Sequence, residues 1–412
     1  MGDSIFDSLM ANRSVSSSLQ SAPTDSARTE WVYLHAGFIL IGITMTMMGP
    51  VLPYFTHRWS LNEGQAGLFL SSLYFANFVG TMATSSMLPR YGFARVIGVG
   101  YFLYVVGLAL LGTGPWVFSL GFVAIYGLGY GLVNPSVNLR ATILPSKNVA
   151  AAVSLLNFTW GIGAVLAPFI VAFFLGHLSF RALTTSLAIC FLALSAAHFL
   201  QKNDAPRQVQ PRRTFAHWRA RLQSTPWLAL VQLFFFYVGI EISVGGLVAL
   251  DEKKMVGMAS TGLAAAPAFF YGFLLLGRFL VPFELRIVSQ RTLAVGCLVL
   301  AAIGITIVAA AQTPALLYVG ALLAGFGCAP QYPIYVTWLA ARYKEDSTWL
   351  GALFFGIAGL GGSAMPGLVG LIGAHTNSLR FGFLLPLACA LWMIPFALRA
   401  CPKSTVDRPA SA

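Results

Sequence analysis

The sequence predicts an all-α membrane protein whose twelve transmembrane helices form two parallel six-helix repeats. Three observations lead to this prediction: a low content of charge, twelve long apolar stretches, and a small-residue pattern that occurs twice. Of the 412 residues, 57% are hydrophobic and only 9% are charged. Soluble domains carry about 25% charged residues, so this chain has too few charges to cover a water-exposed surface.

Twelve apolar stretches are long enough to cross a bilayer, because one crossing needs about 20 apolar residues. Lipid offers the backbone no hydrogen-bond partner, so each stretch is predicted to be a helix. In chain order, helices 1 to 12 are predicted at residues 31–56, 64–88, 95–113, 115–139, 149–175, 178–201, 226–250, 259–283, 292–312, 314–340, 348–374 and 379–399.

The distribution of basic residues indicates how the chain sits in the membrane. Of the 25 Lys and Arg residues, 19 fall in the tails and loops on the side of the termini, and Arg278 lies within helix 8. The opposite loops hold only Arg58, Arg181, Lys253, Lys254 and Arg380. Cytoplasmic loops carry the excess of Lys and Arg, so we expect both termini in the cytoplasm and a protein of the plasma (inner) membrane. The net charge of +12 is then a topology signal, and nucleic acid is not an expected partner.

The polar segments divide the chain. Residues 1–30 are rich in Ser and lack an apolar core, which predicts a disordered cytoplasmic tail. The basic, proline-containing segment 202–225 predicts a cytoplasmic linker, and 401–412 a second tail. The six-helix bundles are therefore expected at 31–201 and 226–400.

A pattern of Gly-x-Gly-x-x-x-x-Pro occurs at 161–168 as GIGAVLAP and at 359–366 as GLGGSAMP. With an offset of 197–198 residues, Gly42 also falls on Gly239, Tyr74 on Tyr271 and Gly127 on Gly325. Because each copy contains six helices, both copies enter the membrane in the same direction.

Small residues let membrane helices approach closely, and a proline can bend a helix. We therefore expect the glycines and prolines of the two copies to allow the bundles to rock against each other, although static packing is the alternative. These gating candidates are Gly161, Gly163, Pro168, Gly359, Gly361 and Pro366.

Several stretches resemble the major facilitator superfamily, and in particular its fucose-permease-type branch of sugar:proton symporters. They are LNFTWGIGAVLAP in helix 5, FFYVGIEISVGG in helix 7, FFYGFLLLGR in helix 8 and GFGCAPQYP in helix 10. The resemblance implies the major facilitator fold over residues 31–400, alternating access and a monomer. The loop SSMLPRYGFAR keeps Arg90, Gly92 and Arg95 of the superfamily's gating motif, but Ser85 and Pro89 replace its first Gly and its acid.

Apart from charges within four residues of a helix end, two charges lie within predicted helices, Glu241 and Arg278. Glu241 sits near the middle of helix 7, and acids at such depth usually face a cavity and serve function. We expect Glu241 to couple transport to protons or to bind substrate, with a purely structural ion pair as the alternative. Arg278 lies closer to the end of helix 8, so we expect it to snorkel toward the cytoplasm and to act in gating.

Uncharged polar and aromatic side chains supply the remaining candidates for a central substrate site. Amides donate to and accept from hydroxyls, and aromatic faces can cover the apolar face of a sugar ring. Asn134 and Asn138 are four residues apart and share one helix face, and Asn157 joins them by the family resemblance. The substrate-binding candidates are Tyr74, Asn77, Asn134, Asn138, Asn157, Trp160, Tyr237, Tyr271, Gln331, Tyr332 and Tyr335.

The sequence therefore predicts a secondary active transporter of a small neutral hydroxylated solute, most simply a monosaccharide. The coupling ion is expected to be H⁺, with Na⁺ as the alternative, and no cofactor, metal or enzymatic activity is expected. A proton-coupled exporter of hydrophobic drugs or metabolites is the leading alternative function, while a receptor or channel is a further one.

Overall fold

The computed structural model describes residues 25–146, 149–201, 225–257, 264–343 and 347–401. Most of the predicted tails and linker, residues 1–24, 202–224 and 402–412, lies outside these ranges. The first helix begins at Asp25. Residues 25–30, which the sequence assigns to the N-terminal tail, are therefore helical.

The described residues contain twelve helical spans that are long and apolar enough to cross a membrane, as predicted, and they contain no strand. In chain order the spans are α1 (Asp25–Thr46 and Met48–Trp59), α2 (Glu63–Tyr91), α3 (Phe93–Leu110), α4 (Trp116–Ile143), α5 (Val149–His177), α6 (Phe180–Leu200), α7 (Thr225–Val256), α8 (Ala265–Glu284), α9 (Gln290–Ala310), α10 (Pro314–Cys328 and Gln331–Arg342), α11 (Ser347–Thr376) and α12 (Leu379–Gly382 and Leu384–Ala400).

Two faces of the bundle are distinguished below. The terminal face carries the start of α1 and the end of α12, and the distal face lies at the opposite ends of the helices. α7 continues to Val256, beyond its predicted end at residue 250, so its last turns reach the distal face. There Glu252 is buried and accepts hydrogen bonds from the backbone amides of Ala265 and Ala266, both at 2.9 Å. These amides open α8 and lack partners inside that helix, so Glu252 ties the end of α7 to the start of α8.

The close helix contacts repeat with the offset found in the sequence. Gly163 of α5 packs against the backbone of Ile39 in α1, and Gly361 of α11 packs against the backbone of Phe235 in α7. Gly127 likewise meets the backbone of Leu73, as Gly325 meets that of Phe270. At these contacts a Cβ would collide with a neighbouring backbone, so the glycines are required. The parallel six-plus-six repeat is confirmed.

The two halves, α1–α6 and α7–α12, meet along three helix pairs. The most extensive contact between any two helices joins α2 to α11. α1 meets α7 at Gly49 and Gly246, where the two backbones touch because neither residue carries a side chain. The third pair is α5 with α8. The side chains of interest lie where these pairs enclose the middle of the bundle.

Candidate functional site

Glu241 lies midway along α7 and is buried. Tyr237, one turn earlier on the same helix, donates its hydroxyl to the Glu241 carboxylate. Arg278 reaches across from α8, and its Nη2 lies 2.9 Å from the Tyr237 hydroxyl and 3.3 Å from Glu241 Oε2. The acid in the middle of the bundle is therefore compensated by an arginine, which lowers the cost of burying either charge.

The predicted snorkelling of Arg278 toward the terminal face is wrong. Its guanidinium turns inward to Glu241, and only 26% of the side chain is exposed. An arginine inside a membrane helix can either reach the interface or pair with a buried acid. Here the paired arrangement is available because Tyr237 and Glu241 stand on the facing side of α7.

The N-terminal half meets this charge pair through Trp160 of α5. The guanidinium carbon of Arg278 lies 6.0 Å from the centroid of the Trp160 ring, a cation–π distance. One residue further on, Gly161 packs against the side chain of Leu275. The junction of α5 and α8 thus brings a tryptophan of one half against the charge pair of the other.

Two buried nitrogens at this junction have no hydrogen-bond partner within the described part of the chain. They are Nε of Arg278 and Nε1 of Trp160. Both groups are donors only, and a buried donor without an acceptor costs free energy. Each group needs an acceptor, which the oxygen lone pairs of a ligand would supply.

Tyrosines from four helices surround Glu241. They are Tyr74 of α2, Tyr271 of α8 and Tyr332 of α10. Tyr130 of α4 also lies near the carboxylate and is absent from the sequence candidates. Tyr130 lies four residues before Asn134, and this spacing alone places it on the same helix face.

Three asparagines form a hydrogen-bonded ladder between α4 and α5. Asn138 Nδ2 donates to Asn134 Oδ1 at 3.1 Å, and Asn157 Nδ2 donates to Asn138 Oδ1 at 2.9 Å. Asn157 is exposed, and Asn134 and Asn138 are half-buried. The structure therefore brings together the amides that helix periodicity and the resemblance suggested, on the terminal side of the charge pair.

Two further candidates lie elsewhere. Gln331 is buried and donates to the carbonyls of Ala294 at 3.0 Å and Gly327 at 3.2 Å, so it connects α10 to α9. Tyr335 donates to Gln331 Oε1 at 2.6 Å. The hydrogen-bond partners of both side chains belong to α9 and α10, while the ring of Tyr335 lies 6.3 Å from the ring of Tyr237 on α7. Both side chains therefore pack inside the C-terminal half.

Asn77 of α2 lies at the contact between the halves. Its Oδ1 accepts a hydrogen bond from Thr81 at 3.4 Å, and its amide nitrogen lies beside Gly359 of α11. The side chain is buried. Asn77 is therefore part of the α2–α11 interface and not of the ladder formed by the other asparagines.

The repeated glycines have two different kinds of neighbour, so the expectation that all of them allow the halves to rock against each other needs a correction. Gly161 and Gly359, the first glycine of each copy, contact the opposite half at Leu275 and Phe78. Gly163 and Gly361, the second of each copy, contact α1 and α7 of their own half. Only the first glycine of each pair therefore lies on the surface along which the halves could move.

Helices α5 and α11 continue through Pro168 and Pro366. Pro168 has no N–H, so the carbonyl of Ala164, four residues earlier, loses its helical donor. The hydroxyl of Thr46 in α1 lies 3.3 Å from this carbonyl and also 2.7 Å from the carbonyl of Gly42. The hydroxyl has one proton, which the two carbonyls share, so a side chain of α1 partly replaces the hydrogen bond that the proline removes.

The α2–α3 connection is tight. Gly92 has a φ of +79° and forms both the end of α2 and the start of α3. Arg90 and Arg95 flank it on the terminal face and are exposed. This part of the gating motif keeps its turn geometry and its positive charge.

On the distal face, the halves are joined by contacts that the sequence did not suggest. Lys254 at the end of α7 forms an ion pair with Glu63 at the start of α2. Ser363 of α11 also donates to the backbone carbonyl of Ser71 in α2 at 3.0 Å. The distal ends of the two halves are therefore held together in this structure.

No group of three or more His, Cys, Asp or Glu residues within the described ranges could hold a metal ion. The side chains gathered at the junction bind by hydrogen bonds, aromatic faces and one compensated ion pair. Such a set suits reversible binding of an uncharged polar molecule.

Comparisons with known proteins identify the family and the fold. A sequence model of the Major Facilitator Superfamily matches residues 34–347. The glucose/galactose transporter of Brucella abortus is 22% identical over 384 residues, which cover 88% of this chain and 91% of that protein. The sodium-dependent glucose transporter 1A of Mus musculus is 22% identical over 394 residues, covering 84% and 90%. A crystal structure of a variant of the Escherichia coli fucose:proton symporter superposes with a TM-score of 0.63 at 20% identity, covering 92% of this chain and 100% of that chain.

Proposed function

The chain belongs to the Major Facilitator Superfamily, and on that premise we propose that it transports a neutral hydroxylated solute, a monosaccharide such as glucose or galactose, by alternating access. The observation that carries this proposal is the junction between the halves. There the unpartnered donors Arg278 Nε and Trp160 Nε1 lie at the Glu241–Arg278 ion pair, whose net charge is zero. The names of the relatives, two of them glucose transporters, point to the same class of solute.

The charge balance of the site favours an uncharged ligand. With Glu241 ionised, its charge cancels that of Arg278, and a buried anion or cation would add an uncompensated charge. Sugar hydroxyl oxygens can accept from both free donors, and the ring of Trp160 offers an apolar face to the C–H groups of a pyranose. The asparagine ladder provides further hydrogen-bonding groups between the charge pair and the terminal face.

Coupling to protons follows from the same pair. A proton that binds Glu241 removes the negative charge that holds Arg278, and the guanidinium is then free to turn to the solute. The loaded carrier would cross with the proton on Glu241, and the empty carrier would return with the ion pair formed again. Uptake under this scheme is driven when the distal side is more acidic than the terminal side.

We take the terminal face to be the cytoplasmic side of a plasma-membrane protein, and the excess of Lys and Arg on that face supports this orientation. The distal contacts, Lys254 with Glu63 and Ser363 with Ser71, then close the external side, while the exposed Asn157 lies on the cytoplasmic side. Rocking of the halves about the central site would break the distal contacts and admit solute from outside.

Transport by the purified chain in proteoliposomes tests the proposal. Radiolabelled glucose, galactose and fucose are offered with a pH gradient, with a Na⁺ gradient, or with neither, and a hydrophobic cationic drug serves as the alternative substrate. We expect sugar accumulation with the pH gradient alone. Accumulation that requires Na⁺ would show that the coupling ion is Na⁺ and not H⁺. The name of the mouse relative gives sodium dependence for that protein. Transport of the drug without any sugar would overturn the proposed solute.

A further inference from the structure

A cavity opens on the distal face, away from the charge pair. It has a volume of about 350 Å³, within the range of roughly 300–1,000 Å³ that small-molecule sites occupy. Its walls come from both halves: α1 and the start of α2 on one side, and the last turns of α7 on the other. A molecule seated in this cavity would therefore contact both halves at once.

The lining provides polar groups around an apolar floor. Thr56, His57 and Ser60 line the cavity from the end of α1, and Leu61 and Leu250 supply apolar surface. The Thr56 hydroxyl donates to the carbonyl of Pro53 at 2.9 Å, so its oxygen remains able to accept from a ligand. Donors, acceptors and an apolar patch within one small space match the mixed surface of a hexose.

The cavity also carries balanced charge. Glu63 and Lys254, which pair across the halves, both line it. The Lys254 side chain is 40% exposed and that of Glu63 is 14% exposed, so the ammonium group borders the opening. Paired charges leave hydrogen-bonding capacity for hydroxyls without favouring an ion, which is the property found at the central site.

We propose that this cavity is a second binding site for the transported neutral sugar, a vestibule that is occupied while the distal contacts are closed. The inference rests on the proposed function, because it assigns the same solute to both sites. Separation of the halves would break the Glu63–Lys254 pair, which forms part of the vestibule wall. Sugar held there would then lie at the mouth of the path that opens to the centre.

Protection of an introduced cysteine tests the vestibule. Ser60→Cys is made in a Cys190→Ser background, because Cys190 is the one exposed cysteine among the described residues. Its reaction with a membrane-impermeant maleimide is timed with and without glucose or galactose. Leu178→Cys, 60% exposed on the same face and outside the cavity, is the matched control. At a sugar concentration ten times the dissociation constant, we expect about a tenfold slower reaction at residue 60 by mass action, and no change at residue 178.

The same measurement is repeated with Glu241→Gln and Arg278→Gln combined, which removes the central charge pair without leaving one charge unpaired. Protection that persists in this variant supports an independent vestibule. Protection that disappears with the central pair, or intact sugar uptake without any protection at residue 60, would overturn the inference. Failure of the proposed function is distinguishable, because it would appear as the absence of sugar uptake by the unmodified chain.

Discussion

Arg278 of α8 and Glu241 of α7 form an ion pair across 3.3 Å in the middle of the bundle. The sequence draws attention to Glu241 as a single buried acid, but the structure makes the pair the functional unit. Each partner restrains the other, and Tyr237 hydrogen-bonds to both. Any event that changes the charge of one partner therefore changes the position of the other.

Removal of one partner should destabilise the protein more than removal of both. Arg278→Gln leaves a buried carboxylate without a compensating charge. We expect the free energy of unfolding to fall by about 3 kcal/mol, which is the lower end of the range for broken buried pairs. The lower end applies because Arg278 is partly exposed. The double variant with Glu241→Gln should regain most of this loss. Thermal unfolding in detergent measures both values, and equal losses in the single and double variants would contradict the pairing.

The two glycines of each repeat should respond differently to alanine. In Gly361→Ala the new methyl meets the Phe235 backbone, which cannot rotate away, so we expect destabilisation of about 1–3 kcal/mol. In Gly161→Ala the methyl meets the side chain of Leu275, which can change rotamer. This variant should remain stable and show a slower transport rate. A Gly161→Ala protein that unfolds at the same temperature as Gly361→Ala would refute the distinction.

Thr46 and Pro168 should be energetically coupled. Thr46→Val keeps the shape of the side chain but leaves the Ala164 carbonyl without a donor, at a cost of about 1 kcal/mol. Pro168→Ala restores an N–H to α5, and the same Thr46→Val change should then cost much less. A double-mutant cycle on unfolding temperature measures the coupling, and purely additive effects would argue against this hydrogen bond.

Asn138 and Gln331 should separate substrate binding from packing. Asn138→Ala removes the centre of the asparagine ladder, so we expect a several-fold higher KM for sugar uptake with little change in stability. Gln331→Leu breaks the hydrogen bonds to Ala294 and Gly327, and it should lower the unfolding temperature while KM stays unchanged. Uptake kinetics and thermal unfolding of both variants test this assignment. A changed KM in Gln331→Leu together with an unchanged KM in Asn138→Ala would contradict it.

The sequence predicts well those features that depend on depth in the membrane and on periodicity. Hydrophobic length determines the twelve spans. Recurring glycines indicate the parallel repeat, and four of them, Gly127, Gly163, Gly325 and Gly361, lie at backbone contacts that exclude a side chain. Helix spacing also predicts that Asn134 and Asn138 share a face. It could have found Tyr130 as well, one turn before Asn134.

The rotation of each helix about its own axis is much harder to predict. The depth of Arg278 in the membrane suggests that its side chain turns toward the terminal face. The sequence does not show that Glu241 on the neighbouring helix faces Arg278. Gln331 has suitable chemistry for a substrate, but α10 turns it toward α9, and Tyr335 donates its hydroxyl to Gln331. The Glu63–Lys254 pair joins residues 191 apart in sequence, and no local pattern connects two such distant helix ends.

The most direct test of the central claim compares exchange with accumulation in Glu241→Gln proteoliposomes. Glu284→Gln, a carboxylate at the end of α8 that takes no part in the charge pair, is the control. Under the proposed coupling, Glu241→Gln still exchanges internal for external labelled sugar at a rate that does not depend on pH. It no longer accumulates sugar in response to a pH gradient, whereas Glu284→Gln behaves like the unmodified chain. Full gradient-driven accumulation by Glu241→Gln would contradict the role of this carboxylate in coupling.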